Sequence, residues 1–419
     1  MTSASSCLSR SGRRAAAICA LAALSLHPAG ALLAQTAEPA GGMTGAKAAQ
    51  DIATDAAGST LPDLSASLPP NLPETTAPAG KSPKVAIGAG ASGAGMPAIF
   101  ATFANGVTLQ PHVPYWAPSG FRPLTMDIYS PPPSVDKPQA GFPMLMFIHG
   151  GGWATGDAQT SNPIADFPQL LAEIAAQGYV VSSVNYRLSG EAKWPAQGQD
   201  IKAALRYLRS TAHDYGIDPA RFATWGVSAG AQLSAIAATT CGVEDLQPES
   251  QILPNLPVLG VPELDRHGEM RSNNSDCVQA AIAWSGVYDM STLTDQARLA
   301  GAMSRELGTA PEWRLLGCIS GACPQDKLAS ASAVQRLSND APPILLMTGN
   351  ADKIMPYTQT LEFAGALEVE KIPHELVIIA GAGHNFIGQN ATETRRSTQT
   401  ALDHMLTFLS IHLAPKPQG

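Results

Sequence analysis

The chain has 419 residues, of which 45% are hydrophobic and 14% charged. That is enough apolar material for a large core, and it argues against wholesale disorder. Lys and Arg total 26 against 34 Asp and Glu, for a formal net charge of −8. There is no basic excess to hold a phosphate backbone, so this composition argues against nucleic-acid binding.

The first 34 residues are predicted to be a signal peptide. Three arginines precede a short apolar run at 15–26, and small residues follow up to Ala31 and Ala34, the two candidate cleavage points. The run is too short to span a bilayer comfortably, although an uncleaved membrane anchor is the alternative. We therefore expect a secreted or periplasmic protein that has no stable membrane insertion after cleavage.

Residues 35–98 are rich in Ala, Gly, Pro, Ser and Thr and contain few aromatic residues. This composition predicts a flexible linker or pro-segment without a core of its own. The alternative is an N-terminal arm that packs on the following domain. Residues 99–415 are expected to form one catalytic domain.

From about residue 100 onward, strand and helix patterns alternate. Strands are predicted at 124–129, 144–148, 179–185, 222–225, 278–284, 344–347 and 375–379, and helices at 164–177, 199–213, 229–239 and 392–412. Such alternation predicts an α/β fold with a mostly parallel central sheet and helices on both faces. Two stretches, 241–276 and 290–340, break the rhythm and are expected to be insertions above the sheet.

The strongest motif is Gly226-Val-Ser-Ala-Gly230, which matches G-x-S-x-G. It follows a predicted strand and opens a predicted helix, as a nucleophile elbow requires. Ser228 is therefore the candidate nucleophile. An ordinary packed turn between strand and helix is the alternative.

A second motif, His-Gly-Gly-Gly-Trp at 149–153, follows a predicted buried strand. Glycines let backbone N–H groups approach a ligand oxygen, and loops of this kind contribute to an oxyanion hole. The expected donors are the amides of Gly151, Gly152 and Ala229. A phosphate-binding loop is the alternative, but the lysine and the glycine spacing of that motif are missing.

The residues on either side of these glycines have less certain roles. His149 is expected to be structural rather than catalytic. Trp153 is a candidate wall of the acyl or aromatic pocket, and an ordinary packed tryptophan is the alternative.

A serine nucleophile needs a base and an acid that orients the base. Among nine histidines, His384 lies in a glycine-rich loop directly after a predicted strand. Asp352 follows the strand before that one, and the resulting order Ser, Asp, His is that of α/β-hydrolases. Asp289 also follows a strand and is the second candidate acid, although we expect it to be structural.

From about residue 108 to 412 the chain resembles α/β-hydrolase esterases near hormone-sensitive lipase, and most closely the bacterial feruloyl-esterase-like (BD-FAE) branch. The blocks that carry the resemblance are 124–129, 149–157, 185–188, 200–209, 215–221, 342–349 and 381–386. Two departures from the family pattern are present: the elbow has Val227 and Ala231 where GDSAGG or GGSAGG is frequent, and Thr348 stands where His is usual. The resemblance implies an α/β-hydrolase fold and a triad carried by Ser228, Asp352 and His384.

The motifs together predict a serine carboxylic-ester hydrolase that acts through an acyl-enzyme on small or aromatic esters of the feruloyl or acetyl type. An amide hydrolase, either a peptidase or an arylformamidase, is the first alternative because the same triad serves both reactions. A non-catalytic binding protein that kept the fold is the second. We expect no cofactor and no metal, and a small-molecule ester as the partner; the oligomeric state stays open.

Four cysteines remain after signal cleavage, and an oxidising compartment favours disulfides. Cys318 and Cys323 are separated by a short segment of small residues, so a turn brings them within bonding range. Cys241 and Cys277 are then left to pair with each other. Four free or metal-bound thiols are the alternative.

Overall fold

The computed structural model describes residues 84–87, 99–248, 275–305 and 310–415. The predicted signal peptide lies outside these residues, as does most of the predicted linker. A ten-stranded sheet has the order β1-β2-β3-β4-β6-β5-β7-β8-β9-β10. Its strands are β1 (Lys84–Ile87), β2 (Ile99–Thr102), β3 (Thr108–Trp116), β4 (Leu124–Ser130), β5 (Phe142–Ile148), β6 (Val180–Val184), β7 (Ile217–Val227), β8 (Ala280–Trp284), β9 (Ile344–Gly349) and β10 (His374–Ile379).

The sheet has a parallel part and an antiparallel part. Strands β5 to β10 pair in parallel, with β5 between β6 and β7. Strands β1 to β4 pair antiparallel, and β4 also joins β6 antiparallel. The carboxyl ends of the parallel strands therefore meet at one edge of the sheet, where ligands bind in open α/β sheets.

Helices cover both faces of the sheet, as predicted. They are α1 (Phe167–Ala175), α2 (Ala196–Ser210), α3 (Ala212–Tyr215), α4 (Ala229–Thr239), α5 (Leu293–Leu299), α6 (Pro311–Leu316), α7 (Gln325–Ser330), α8 (Thr358–Val369) and α9 (Ala391–His412). Alternate side chains of β5 enter two separate cores. Met144 and Met146 pack in the cluster that includes α2 and α4. Leu145 and Phe147 pack in the cluster with α1 and α9. A strand buried on both faces explains why β5 reads as one continuous apolar run.

Of the antiparallel strands, β4 was predicted at 124–129, whereas β1, β2 and β3 were not. Strand β3 contains Pro111 and Pro114, and proline within a strand usually argues against one because it cannot donate to the ladder. The structure accommodates both through register shifts, between Gln110 and Val113 and between Pro114 and Trp116. Strand β1 lies inside the segment predicted to be a flexible linker, and it pairs with β2, which begins directly after that segment.

All four predicted helices are present, and three of them start at a residue other than the predicted one. Helix α1 begins at Phe167 rather than residue 164, because Asp166 Oδ1 caps it by accepting from Gln169 N at 3.1 Å. Helix α8 was not predicted. Its apolar residues do not form one stripe, and Leu361 and Val369 are exposed.

The second predicted insertion contains helices α5 to α7. The cysteines pair as predicted: Cys318 lies at disulfide distance from Cys323 with a Cα–Cα separation of 5.2 Å, and Cys241 and Cys277 are 4.6 Å apart. Buried Asp276, next to Cys277, forms ion pairs with Lys202 and Arg206 of α2. The longer disulfide is therefore anchored to the helix that covers the sheet.

We expect the two disulfides to contribute unequally to stability. Their sequence separations are 36 and 5 residues, and in the chain-entropy model the longer loop contributes about 4 kcal/mol and the shorter about 2 kcal/mol. Replacing Cys241 and Cys277 together by Ala should therefore reduce the free energy of unfolding more than replacing Cys318 and Cys323. Urea unfolding of both variants measures this difference, and a larger loss for the short loop would contradict it.

Candidate active site

Ser228 is the single residue between strand β7 and helix α4. Its backbone has φ 57° and ψ −117°, a conformation that residues other than glycine rarely adopt. The turn is tight on both sides. A Cβ on Gly226 would lie 2.0 Å from Gly230 O, and one on Gly230 would lie 2.0 Å from Ile148 O. The two glycines of the motif are thus required by the backbone packing, which presents the Ser228 hydroxyl at the carboxyl edge of the sheet.

The structure brings Ser228, His384 and Asp352 into one hydrogen-bonded chain. His384 Nε2 lies 3.0 Å from Ser228 Oγ, and His384 Nδ1 lies 2.7 Å from Asp352 Oδ2. Both distances are those of good hydrogen bonds. With the Nδ1 proton directed at the carboxylate, Nε2 is left to accept the hydroxyl proton of the serine.

Asp352 is held from its other side by backbone. Its Oδ1 accepts from Ile354 N and Met355 N, each at 2.8 Å, and the side chain is fully buried. The acid loop, residues 349–355, also packs on the loop that carries His384. A Cβ on Gly349 would lie 2.1 Å from Ala382 O. These contacts hold the carboxylate in position beside the imidazole.

A cavity of about 850 Å³ opens at Ser228. The three glycines at 150–152 line it, together with Ala229 and His384. Gly151 and Gly152 have φ of 95° and 58°, which favours glycine at both positions. Ala229 is the first residue of α4, so its N–H is among the first-turn amides that have no partner within the helix. All three predicted oxyanion donors therefore border the same cavity as the serine.

His149 supports the glycine loop from behind. It is 1% exposed, its Nδ1 lies 2.8 Å from Gly150 O, and its ring stacks on Tyr186 with centroids 4.2 Å apart. Burial lowers the pKa of His149 to about 4. A neutral, packed imidazole is suited to shaping the loop.

Two further predicted residues have hydrogen-bond partners outside the triad. Trp153 lines the cavity, but it is only 2% exposed and its Nε1 donates to Gln232 Oε1 at 3.1 Å, so most of its ring is packed in the protein. Asp289 accepts from Ser291 Oγ at 2.5 Å and from Gln335 Nε2 at 2.8 Å. Since both of its oxygens accept hydrogen bonds from these groups, Asp289 holds neighbouring segments together.

The sequence did not indicate which residues of the second insertion reach the site. Met303, Arg305, Pro311 and Glu312 all line the cavity. No motif marks them, because their contribution depends on how the insertion folds over the sheet edge.

We expect the low pKa of His149 to make stability depend on pH. Between about pH 4 and 6.5 the unfolded chain binds a proton that the folded imidazole does not, so stability rises with pH in this window. The contribution, lost as pH falls, amounts to at most about 3 kcal/mol. From about pH 6.5 to pH 4, the free energy of unfolding of wild type should fall by up to this amount relative to that of His149→Phe, which lacks the titrating group, and thermal unfolding of both proteins measures the change. Parallel curves for the two proteins would contradict the buried neutral state.

The helices of the described residues are all too short or too polar to traverse a bilayer.

The BD-FAE family model matches residues 126–367, and the dienelactone hydrolase family model matches 327–413.

Among curated proteins, Esterase LipC of Mycobacterium tuberculosis is 28% identical over 60% of this chain and 55% of its own length. Carboxylesterase NlhH of the same species is 30% identical over 53% of this chain and 70% of its own. The chain thus spans about half the length of LipC. Thermogutta terrifontis esterase 2 phosphonylated by sarin superposes with a TM-score of 0.53 at 25% identity, covering 73% of this chain and 97% of that one. With more than half of its residues matched by the family model, the chain belongs to the BD-FAE family and has the α/β-hydrolase fold.

Proposed function

We propose that this protein is a serine-dependent carboxylic-ester hydrolase that acts through an acyl-enzyme. The observation that carries the proposal is the unbroken chain from Ser228 Oγ through His384 to Asp352, with contacts of 3.0 and 2.7 Å. Nucleophile, base and orienting acid occur together at the mouth of a cavity, in the geometry that acyl transfer requires.

In the proposed first step, Ser228 Oγ attacks the ester carbonyl carbon while His384 Nε2 takes the hydroxyl proton. Asp352 orients the imidazole and stabilises the imidazolium that forms. His384 then returns the proton to the leaving alcohol as the C–O bond breaks, which leaves an acyl-serine. Water repeats the sequence on the acyl-enzyme and releases the carboxylic acid.

The negative oxygen of each tetrahedral intermediate needs preorganised donors. The amides of Gly151, Gly152 and Ala229 border the cavity beside Ser228 and are proposed for this role. Loss of one such donor typically lowers kcat by about 100- to 1,000-fold. The positive φ of both glycines keeps their amides available without a Cβ in the way.

Small or aromatic acyl esters are the proposed substrates. A volume of about 850 Å³ is within the range of small-molecule sites and accommodates a phenolic acyl group. The lining includes apolar residues, among them Met303, Ile354 and Met355, and polar residues, among them Thr160 and Asn162. A lining of mixed polarity suits an ester with an apolar acyl group and a polar alcohol.

Similarity to other proteins supports this activity. LipC and NlhH are named an esterase and a carboxylesterase, and a likeness to an esterase that sarin phosphonylates fits a nucleophilic serine here. Export is proposed as well, since the two cysteine pairs at bonding distance suit an oxidising compartment.

The triad assignment predicts distinct outcomes for the two buried aspartates. Ser228→Ala should lower kcat by about a million-fold, and Asp352→Asn by about 10,000-fold, because the wrong tautomer of His384 is favoured. Asp289→Asn is the matched control, since it is equally buried but its oxygens bind Ser291 and Gln335. Hydrolysis of p-nitrophenyl acetate measures all three. A near-normal Asp352→Asn enzyme together with an inactive Asp289→Asn would transfer the acid role to Asp289.

The substrate proposal predicts an order of turnover. Methyl ferulate, acetylated xylan and p-nitrophenyl acetate should be hydrolysed, whereas p-nitrophenyl palmitate, whose acyl group is neither small nor aromatic, should be turned over slowly. A peptide amide included in the same panel tests the alternative activity. Faster release from the amide than from every ester would favour the amidase. Failure of a fluorophosphonate probe to label wild type, with no turnover of any substrate, would favour a binding protein.

A further inference from the structure

A buried ion pair lies in the cavity wall and has no part in the proposed chemistry. Arg305 Nε and Glu312 Oε1 are 3.3 Å apart, and both side chains are 1% exposed. Both residues line the cavity. Burial raises the pKa of Glu312, and the Arg305 guanidinium opposes that rise. Removing two charges from water is unfavourable unless their attraction and further hydrogen bonds offset the lost hydration. The groups around this pair are therefore informative.

On one side the pair contacts the acid loop. Arg305 Nη2 donates to Ile354 O. Two residues earlier, Met303 N donates to Lys353 O at 2.8 Å. Ile354 is one of the two residues whose amides hold Asp352 Oδ1. The guanidinium is therefore two hydrogen bonds away from the proposed acid: one to the Ile354 carbonyl, and one from the Ile354 amide to the carboxylate.

On the other side the pair is linked to the glycine loop through Pro311. Glu312 is at the start of α6, directly after Pro311. A Cβ on Gly152 would lie 2.9 Å from Pro311 Cβ, so this proline packs against a proposed oxyanion donor. Trp313 Nε1 also donates to Arg305 O at 2.7 Å, and this hydrogen bond joins α6 to the segment that carries the arginine.

We infer that the Arg305–Glu312 ion pair is a positioning unit that joins the acid loop to the glycine loop and thereby keeps Asp352 on His384. Glu312 anchors it to α6 beside Gly152, and Arg305 carries the connection to Ile354. The inference rests on the proposed function, because it assigns the pair an effect on the proposed triad. Neither residue is expected to touch the substrate's reacting atoms.

The test replaces both charges at once. In Arg305→Met/Glu312→Leu no unpaired charge is left in the interior, and such apolar replacements of buried pairs are often neutral or stabilising. We expect the variant to fold with a Tm near that of wild type, while kcat falls by roughly 10- to 100-fold because catalytic groups tolerate little misplacement. KM should stay within about threefold, since the cavity keeps its apolar lining.

The matched control is a second ion pair at the opposite end of strand β7. Arg221 Nε and Asp218 Oδ2 are 2.6 Å apart and mostly buried, remote from the sheet edge that carries Ser228. Arg221→Met/Asp218→Leu should leave kcat unchanged at temperatures below its Tm. Loss of kcat in both double variants alike would show a general effect of ion-pair removal and overturn the inference.

A double-mutant cycle separates positioning from a merely structural role. If the pair acts through Asp352, adding its replacement to Asp352→Asn should lower kcat by less than about threefold, far less than in wild type. The far-downfield proton resonance of His384 Nδ1–H, bonded to Asp352 in wild type, should weaken or shift in the pair variant and persist in the control.

Three further results would overturn the inference: a stable variant with wild-type kcat, a rise in KM at unchanged kcat, or full additivity with Asp352→Asn. Should the double variant not fold, Arg305→Lys decides, because it keeps the charge but loses the planar contact with Ile354 O. The expected loss of kcat in it supports the inference, and wild-type kcat refutes it. Failure of the proposed function is recognised separately, by Ser228→Ala or Asp352→Asn keeping wild-type turnover.

Discussion

The active site depends on backbone segments that approach too closely to allow a side chain between them. A Cβ on Gly230 would lie 2.0 Å from Ile148 O, and one on Gly349 would lie 2.1 Å from Ala382 O. The first contact seats the serine elbow on the strand end from which the glycine loop departs. The second seats the acid loop on the histidine loop. Main-chain atoms in direct contact have little freedom, so Ser228 is fixed against the glycine loop, and Asp352 against the loop of His384, before any side chain adds to them.

The electrostatic surroundings then distinguish two aspartates that the chain places in similar positions. Asp352 and Asp289 both follow parallel strands and both are buried. Asp352 has one oxygen held by two backbone amides and the other directed at His384. Asp289 has its oxygens taken by Ser291 and Gln335. Burial alone therefore does not assign the acid role; the oxygen of Asp352 that faces His384 does, because it accepts the hydrogen bond from the imidazole N–H.

Sequence reasoning succeeded where a local pattern carries the structure. The elbow, the glycine loop and helix α4 (Ala229–Thr239) were located because their residues are in consecutive positions with fixed conformational needs. It missed β3, whose two prolines argue against a strand until bulges absorb them. It also missed Arg305 and Glu312, which are ordinary charged residues in the sequence. Their burial follows from the folding of an insertion over the site, and long-range packing of that kind leaves no periodic signal.

Those two residues show how a site can gain precision at a small cost in stability. An ion pair of this kind stabilises the fold little, since the loss of hydration offsets much of the attraction between the charges. Each charge must nonetheless remain near the other, because a buried charge without a partner is strongly unfavourable. A contact that adds little net energy but has to be kept is suited to holding two loops together. The acid loop needs that restraint because Asp352 follows β9 (Ile344–Gly349), whereas the glycine donors lie in the loop after β5 (Phe142–Ile148). In the sheet, β7 and β8 lie between these two strands, so β5 and β9 do not pair with each other.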